Sequence, residues 1–123
     1  MPKKVLLVDD SATSRLLHRT IVKNNTNYTV ICAQDGDQAL ELASSEKPDL
    51  ILMDIMMPGI SGLEVCQRLR SQRETSSVPS VMLTFRTGED SIQMGFASGC
   101  TAYLTKPVQD TELLKTLRQY LGD

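Results

Sequence analysis

The chain has 123 residues, 13 Lys and Arg against 15 Asp and Glu for a formal net charge of −2, and 41% hydrophobic residues. That length predicts a single domain with no room for a second, and that apolar share is enough to bury a core. With no Lys/Arg run to meet a phosphate backbone and no apolar run near the roughly 18 residues of a membrane span, neither nucleic acid nor membrane is an expected partner.

The opening MPKKVLLVDD carries a basic pair and only a short apolar stretch before two acids. That is too short for a signal peptide, and a cytoplasmic protein is expected. Residues 5–8 (VLLV) read as a first strand ending in Asp9 and Asp10. Ser11 and Ser14 are candidate N-caps of a helix to about residue 23, with Leu17, Ile21 and Val22 on its inner face. Residues 28–33 (YTVICA) form a second strand that stops at Asp35-Gly36. A helix over 37–44 follows, with Ala39, Leu40 and Ala43 inward, and Pro48 ends it.

Residues 50–53 (LILM) are the most apolar run and end at Asp54. After Pro58-Gly59-Ile60-Ser61-Gly62, a helix to about residue 71 turns Val65, Cys66 and Leu69 to one side. Residues 81–83 are a fourth strand running into Thr84. Residues 88–98 read as a weak helix because Gly95 lies inside it. Residues 102–104 are a fifth strand before Thr105-Lys106-Pro107, and a last helix from 110 or 111 to 121 carries Leu113, Leu114, Leu117, Tyr120 and Leu121. Cys32, Cys66 and Cys100 are odd in number and lack CxxC spacing, so they read as small buried hydrophobes rather than a disulfide framework or zinc site.

Five βα units with continuously apolar strands predict an α/β fold whose parallel sheet is covered on both faces. The flavodoxin-like doubly wound order 2-1-3-4-5 with five helices fits, and it places a crevice at the carboxyl ends of strands 1 and 3. Asp9, Asp10, Asp54, Thr84 and Lys106 then converge at one sheet edge. Three carboxylates so placed repel one another and call for a cation, and an all-oxygen pocket suits Mg²⁺. A carboxylate left to attack a phosphoryl group would form an aspartyl phosphate. Taken singly, each residue also fits a plainer reading: Asp9 and Asp10 as helix cap and dipole partner, Asp54 as a turn residue, Thr84 as a packing group, Lys106 as a solvated charge.

The motifs VLLVDDS, AQDGDQAL, PDLILMDIMMPGISG, VMLT and ASGCTAYLTKP occur in order along nearly the whole chain. Together they resemble the receiver domain of bacterial two-component response regulators, most closely the stand-alone chemotaxis-regulator-like kind. The resemblance implies that Asp54 is the phosphoacceptor, and that Asp9, Asp10, Asp54 and the backbone carbonyl of Met56 hold Mg²⁺, with Mn²⁺ as an alternative. It implies phosphoryl contacts from Thr84 and Lys106, a switch made of Thr84 and Tyr103, and a cis peptide before Pro107. Output would pass through the face formed by the helix over 88–98, the fifth strand and the last helix. The implied partners are a sensor histidine kinase or phosphotransfer protein and a downstream protein target, with the chain a monomer or a phosphorylation-dependent dimer. Such a protein is a phosphoacceptor in signal transduction rather than an enzyme, although it contributes to its own phosphotransfer and slow autodephosphorylation.

One departure stands out: Phe85 follows the threonine where the family usually has a very small residue. A ring there narrows access to Asp54 or limits how far the following loop moves, and slower phosphorylation by small donors is expected. Met56 and Arg86, two positions beyond Asp54 and Thr84, flank the path of an attacking water. Met56 cannot hydrogen-bond that water, which implies a long-lived phosphoryl group. The rival within this fold is a phosphorylation-independent pseudo-receiver, acting as an interaction module or phosphate sink. A haloacid-dehalogenase-type phosphatase needs a second Asp where Met56 stands, and a flavodoxin-type phosphate loop at residues 11–14 would face repulsion from Asp9 and Asp10. His18, the only histidine, reads as a surface or packing residue, since a helical phosphotransfer bundle has no place for five apolar strands.

Overall fold

The computed structural model describes residues 2–84, 93, 94 and 96–122. Along the chain come β1 (Lys4–Val8), α1 (Ala12–Asn25), β2 (Thr29–Ala33), α2 (Gly36–Glu46), β3 (Leu50–Met53), α3 (Gly62–Ser71), β4 (Ser80–Thr84), β5 (Ala102–Thr105) and α4 (Asp110–Leu121). All pairings are parallel, in the order β2-β1-β3-β4-β5. Of the five expected helices these four are described. Within the span 88–98 residues 93, 94, 96 and 97 are helical, and most of the rest lies outside the described residues.

The strands read as unbroken apolar runs because their alternate side chains enter two separate cores. Val5, Leu7, Leu50, Leu52, Val81 and Leu83 pack with Ile21 and Val22 of α1 and Leu113, Leu114 and Leu117 of α4. Leu6, Val8, Ile51, Met53 and Met82 pack on the other face with Ala39 and Ala43 of α2 and Val65, Cys66 and Leu69 of α3. Fully burying one such side chain contributes about 1.5–3 kcal/mol, so β1 and β3 are the chief hydrophobic investment of the fold. Leu17, expected inward, is 56% exposed. One step along a helix turns the side chain by about 100°, and the inward place goes to His18.

Three of the four described helices start at a side-chain cap, and α4 starts after Gln109 without one. Ser11, Asp35 and Ser61 accept from the backbone N–H groups of Ser14, Gln38 and Glu64 respectively, each cap contributing roughly 1 kcal/mol. Ser14 is therefore the capped residue and not the cap. β4 runs one residue past the expected span at each end because its polar termini are tied down. The Ser80 amide donates to Thr101 Oγ1, its hydroxyl accepts from Arg70, and the Thr84 carbonyl accepts from the Lys106 amide at 2.8 Å. At the opposite end of the sheet, Tyr28 donates its hydroxyl proton to the Gly122 carbonyl and Arg118 donates to Asn25, joining α1 and α4. Among the described residues no helix is long and apolar enough to cross a membrane.

Candidate functional site

The carboxyl ends of β1 and β3 carry the ladder one residue beyond the strands. Asp9 N–H donates to the Ala33 carbonyl at 3.1 Å and Asp54 N–H to the Val8 carbonyl at 3.0 Å. These bonds fix both backbones at the sheet edge, so the side chains emerge side by side. Carboxylate oxygens of Asp9, Asp10 and Asp54 lie within 4.8 Å of one another; Asp9 and Asp54 are buried and Asp10 is exposed.

Gly62 opens α3 directly behind Asp54, its amide donating to the Ile55 carbonyl at 2.9 Å. A Cβ there would press into the Asp54 carbonyl oxygen and sit 2.9 Å from Ile55 Cα. Only glycine lets the helix approach this closely. The Asp54 carboxylate is oriented by the Met56 amide, which donates to Oδ1 at 3.1 Å. The Met56 side chain points outward and is 57% exposed.

Lys106 follows β5 and is presented by a cis peptide to Pro107. Its ammonium donates to Asp9 Oδ2 at 2.7 Å, to Asp54 Oδ2 at 3.1 Å and to Ser14 Oγ at 3.1 Å. With its side chain only 7% exposed, it is no solvated surface charge. Burial pulls the Lys106 ammonium toward a lower pKa, but Asp9 and Asp54 outweigh it and hold the group above its ordinary value. Burial likewise pushes the Asp9 carboxyl up. Lys106, Ser14 and the Ser11 amide together outweigh that and hold it below the usual carboxylate range. Among the described residues Lys106 thus pairs with two of the three clustered carboxylates, and Asp10 is in neither ion pair.

Thr84 is buried at the end of β4, and Tyr103 is half-buried on β5. Met82 and Tyr103 are register partners facing α2 and α3. By the two-residue alternation, Thr84 lies on that same face, diagonal to Tyr103. Phe85 and Arg86 lie outside the described residues. Two residues that the sequence reading assigned no site role join the cluster. Ser14 Oγ donates to Asp9 Oδ2 at 2.6 Å, and His18 Nδ1 lies 3.3 Å from the same hydroxyl. Their signal in the sequence was spacing alone, since residues 14 and 18 are one helical turn apart behind the acidic pair.

A family model described as the response regulator receiver domain matches residues 5–118. The chain belongs to the response regulator receiver family. This receiver is 37% identical over 126 residues to the polar-differentiation response regulator DivK of Brucella anthropi, with 100% of this chain and 99% of the relative covered. It is also 37% identical to protein PilH of Pseudomonas aeruginosa over 119 residues, covering 97% and 98% of the two chains. Among solved structures, chemotaxis protein CheY4 of Vibrio cholerae matches with TM-score 0.92 and 36% identity over 98% of this chain and 100% of that one. The receiver domain of sensor histidine kinase PA1611 from P. aeruginosa, solved with a magnesium ion coordinated in its active-site cleft, matches with TM-score 0.91 and 27% identity, covering both chains fully.

Among the described residues two further groups differ in character from this cluster. Burial raises the Cys66 thiol and pushes Cys100 up to about 11, with Cys66 beside it adding to the rise. Thiols held protonated in this way are inert packing groups. A cleft of about 1090 Å³ lies at the other end of the receiver, lined by residues including Lys3, Lys23, Tyr28 and Arg118. It lies far from the acidic cluster along the strands.

Proposed function

We propose that this receiver accepts a phosphoryl group on Asp54 from a phosphohistidine of a sensor histidine kinase or phosphotransfer protein, in an Mg²⁺-dependent reaction, and passes the signal to a downstream protein. The observation that carries the reading is the Lys106–Asp54 ion pair at 3.1 Å inside a cluster of three carboxylates. An excess of carboxylates around one buried lysine has little structural use, because removing two acids from water costs more than one cation returns. It has a clear use where a further cation and an anionic ligand are to arrive.

The donor set fits a hard divalent ion: every available side-chain ligand is a carboxylate oxygen, and one of the three, Asp10, is open to solvent. Asp9, Asp10 and Asp54, with the Met56 carbonyl, would hold Mg²⁺, which supplies positive charge to offset both the acids and the phosphoryl oxygens. In the transfer, an Asp54 carboxylate oxygen forms the bond to phosphorus while the P–N bond to the donor imidazole breaks, and the imidazole leaves with the electron pair and takes up a proton. Lys106 turns one ammonium proton onto a phosphoryl oxygen, and the Thr84 hydroxyl turns to another. Movement of Thr84 vacates space on the face it shares with Tyr103, and the ring follows inward, altering the surface beside β5 and α4. The receiver is itself the phosphoryl acceptor, so it is modified rather than turning over an outside substrate.

Incubation with acetyl phosphate and Mg²⁺, followed by intact mass, tests this directly. One phosphoryl adduct on wild type, absent from Asp54→Asn and absent with EDTA, is expected. No adduct on wild type, under conditions that label another receiver, would select the pseudo-receiver reading.

A further inference from the structure

We infer that Ser14, aimed by His18, is a positioning residue that holds Lys106 between Asp9 and Asp54 and releases it when a phosphoryl group arrives; the second half of that statement rests on the phosphoacceptor reading above.

The assignment follows from hydrogen-bond capacity. A serine hydroxyl has one proton to donate and two lone pairs to accept with. An ionised carboxylate only accepts, so the 2.6 Å contact with Asp9 Oδ2 takes the single Ser14 proton. An ammonium only donates, so the 3.1 Å contact with Lys106 Nζ fills one lone pair. The remaining partner at 3.3 Å is His18 Nδ1, and with the hydroxyl proton already committed, Nδ1 must be the donor. The neutral ring therefore carries its proton on Nδ1, which locks the hydroxyl toward Asp9 and presents its lone pair to Lys106. His18 is only 4% exposed and packs on the sheet side of α1 with Ile21 and Val22, so the ring itself is fixed.

Lys106 thus has three oxygen partners in this network: two carboxylates and the Ser14 hydroxyl. Only the hydroxyl is neutral. An incoming phosphoryl oxygen competes most easily with the neutral acceptor, because the two carboxylates also hold Lys106 by opposite-charge attraction in a buried site. Ser14 is the partner Lys106 gives up, while Ser14 continues to orient Asp9.

The test combines labelling with nuclear magnetic resonance on the full chain. In wild type, ¹⁵N spectra at neutral pH should show the His18 proton on Nδ1 and a protected Lys106 ammonium signal. Ser14→Ala should expose the ammonium to fast exchange and lower the rate of acetyl phosphate labelling at saturating donor about tenfold, equivalent to the one charge-assisted hydrogen bond that Ser14 keeps to Asp9 throughout transfer. The half-saturating donor concentration should stay within about twofold, since Ser14 does not meet the donor before reaction. Ser14→Thr, which keeps the hydroxyl, should restore both readouts. A His18 proton on Nε2, or an Ala variant with unchanged ammonium signal and labelling rate, overturns the inference. If wild type takes no label, the phosphoacceptor reading fails separately and the spectra decide the positioning: a shifted ammonium signal in Ser14→Ala supports it, an unshifted one overturns it.

Discussion

At the scale of single residues, the cluster sets apart charges that hold it together from charges held in reserve. Asp9 and Asp54 already share Lys106, whereas Asp10 faces solvent and is absent from the cluster's ion pairs among the described residues. Its carboxylate adds repulsion without a matching contact, so Asp10→Asn should leave the metal-free protein as stable as wild type or more so, by up to about 1 kcal/mol. The same change should remove the stabilisation expected from Mg²⁺ at the proposed site. A ligand at one hundred times its dissociation constant stabilises by about 2.7 kcal/mol, so denaturant melts with and without Mg²⁺ should separate for wild type and coincide for the variant. On the proposed function, Met56 would bear on hydrolysis of the phosphoryl group and Phe85 on its arrival. With its side chain turned to solvent, Met56 offers a hydrolytic water no hydrogen bond, and Met56→Asn should shorten the phosphoryl lifetime several-fold, on the order of 1 kcal/mol of barrier. Phe85→Ala should be labelled faster by acetyl phosphate; an equal rate would show that the ring does not restrict access.

At the scale of elements, two helices bear on the site through their starts. α3 begins with a glycine against the Asp54 backbone, and the atoms a Cβ would strike are main-chain atoms that cannot swing aside. Gly62→Ala should therefore cost about 1–3 kcal/mol in urea melts. It should also slow labelling of Asp54, because the displaced backbone carries the proposed acceptor. α1 contributes the buried His18, whose pKa burial lowers first and Lys106 second, against weaker opposing effects of Ser14, Asp9 and Asp110. The native state therefore binds fewer protons than the unfolded chain below the ordinary value of 6.5. The stability this gives is complete above that pH and drains away as pH falls toward the native value. Unfolding free energy measured from about pH 7 to pH 5.5 should slope downward in wild type and flatten in His18→Asn, which keeps a donor near the Nδ1 position. The lowered carboxyl of Asp9 acts below its ordinary 3.8, outside that window.

At the scale of the whole molecule, the sheet order and the converging acids were legible because both follow from strong local patterns. LILM before Asp54 and VLLV before Asp9 are runs that only a doubly covered sheet accommodates, and strands of a parallel sheet end on the same side. Helix faces were less legible. Leu17 looked inward by type while His18 took the inward place, beside Ser14 one turn earlier on the same helix, because residue type outweighed the i, i+4 spacing that pairs the two. Lys106 read alone as an ordinary surface charge, and only the pairing of β5 beside β4 puts it against Asp54, 52 residues away in sequence. Ser14 was legible as a helix-start residue but not as a site residue, since its hydroxyl acts across the turn rather than on its own backbone.

The tie between Tyr28 and Gly122, with Arg118 on Asn25, closes the amino-terminal end of the sheet through contacts to backbone carbonyls. The opposite end is held by opposed charges that a ligand can rearrange. The molecule is thus divided lengthwise into a clamped base and an adjustable rim. An engineer can reinforce the base with stabilising substitutions and leave the rim free to be retuned for another donor or lifetime.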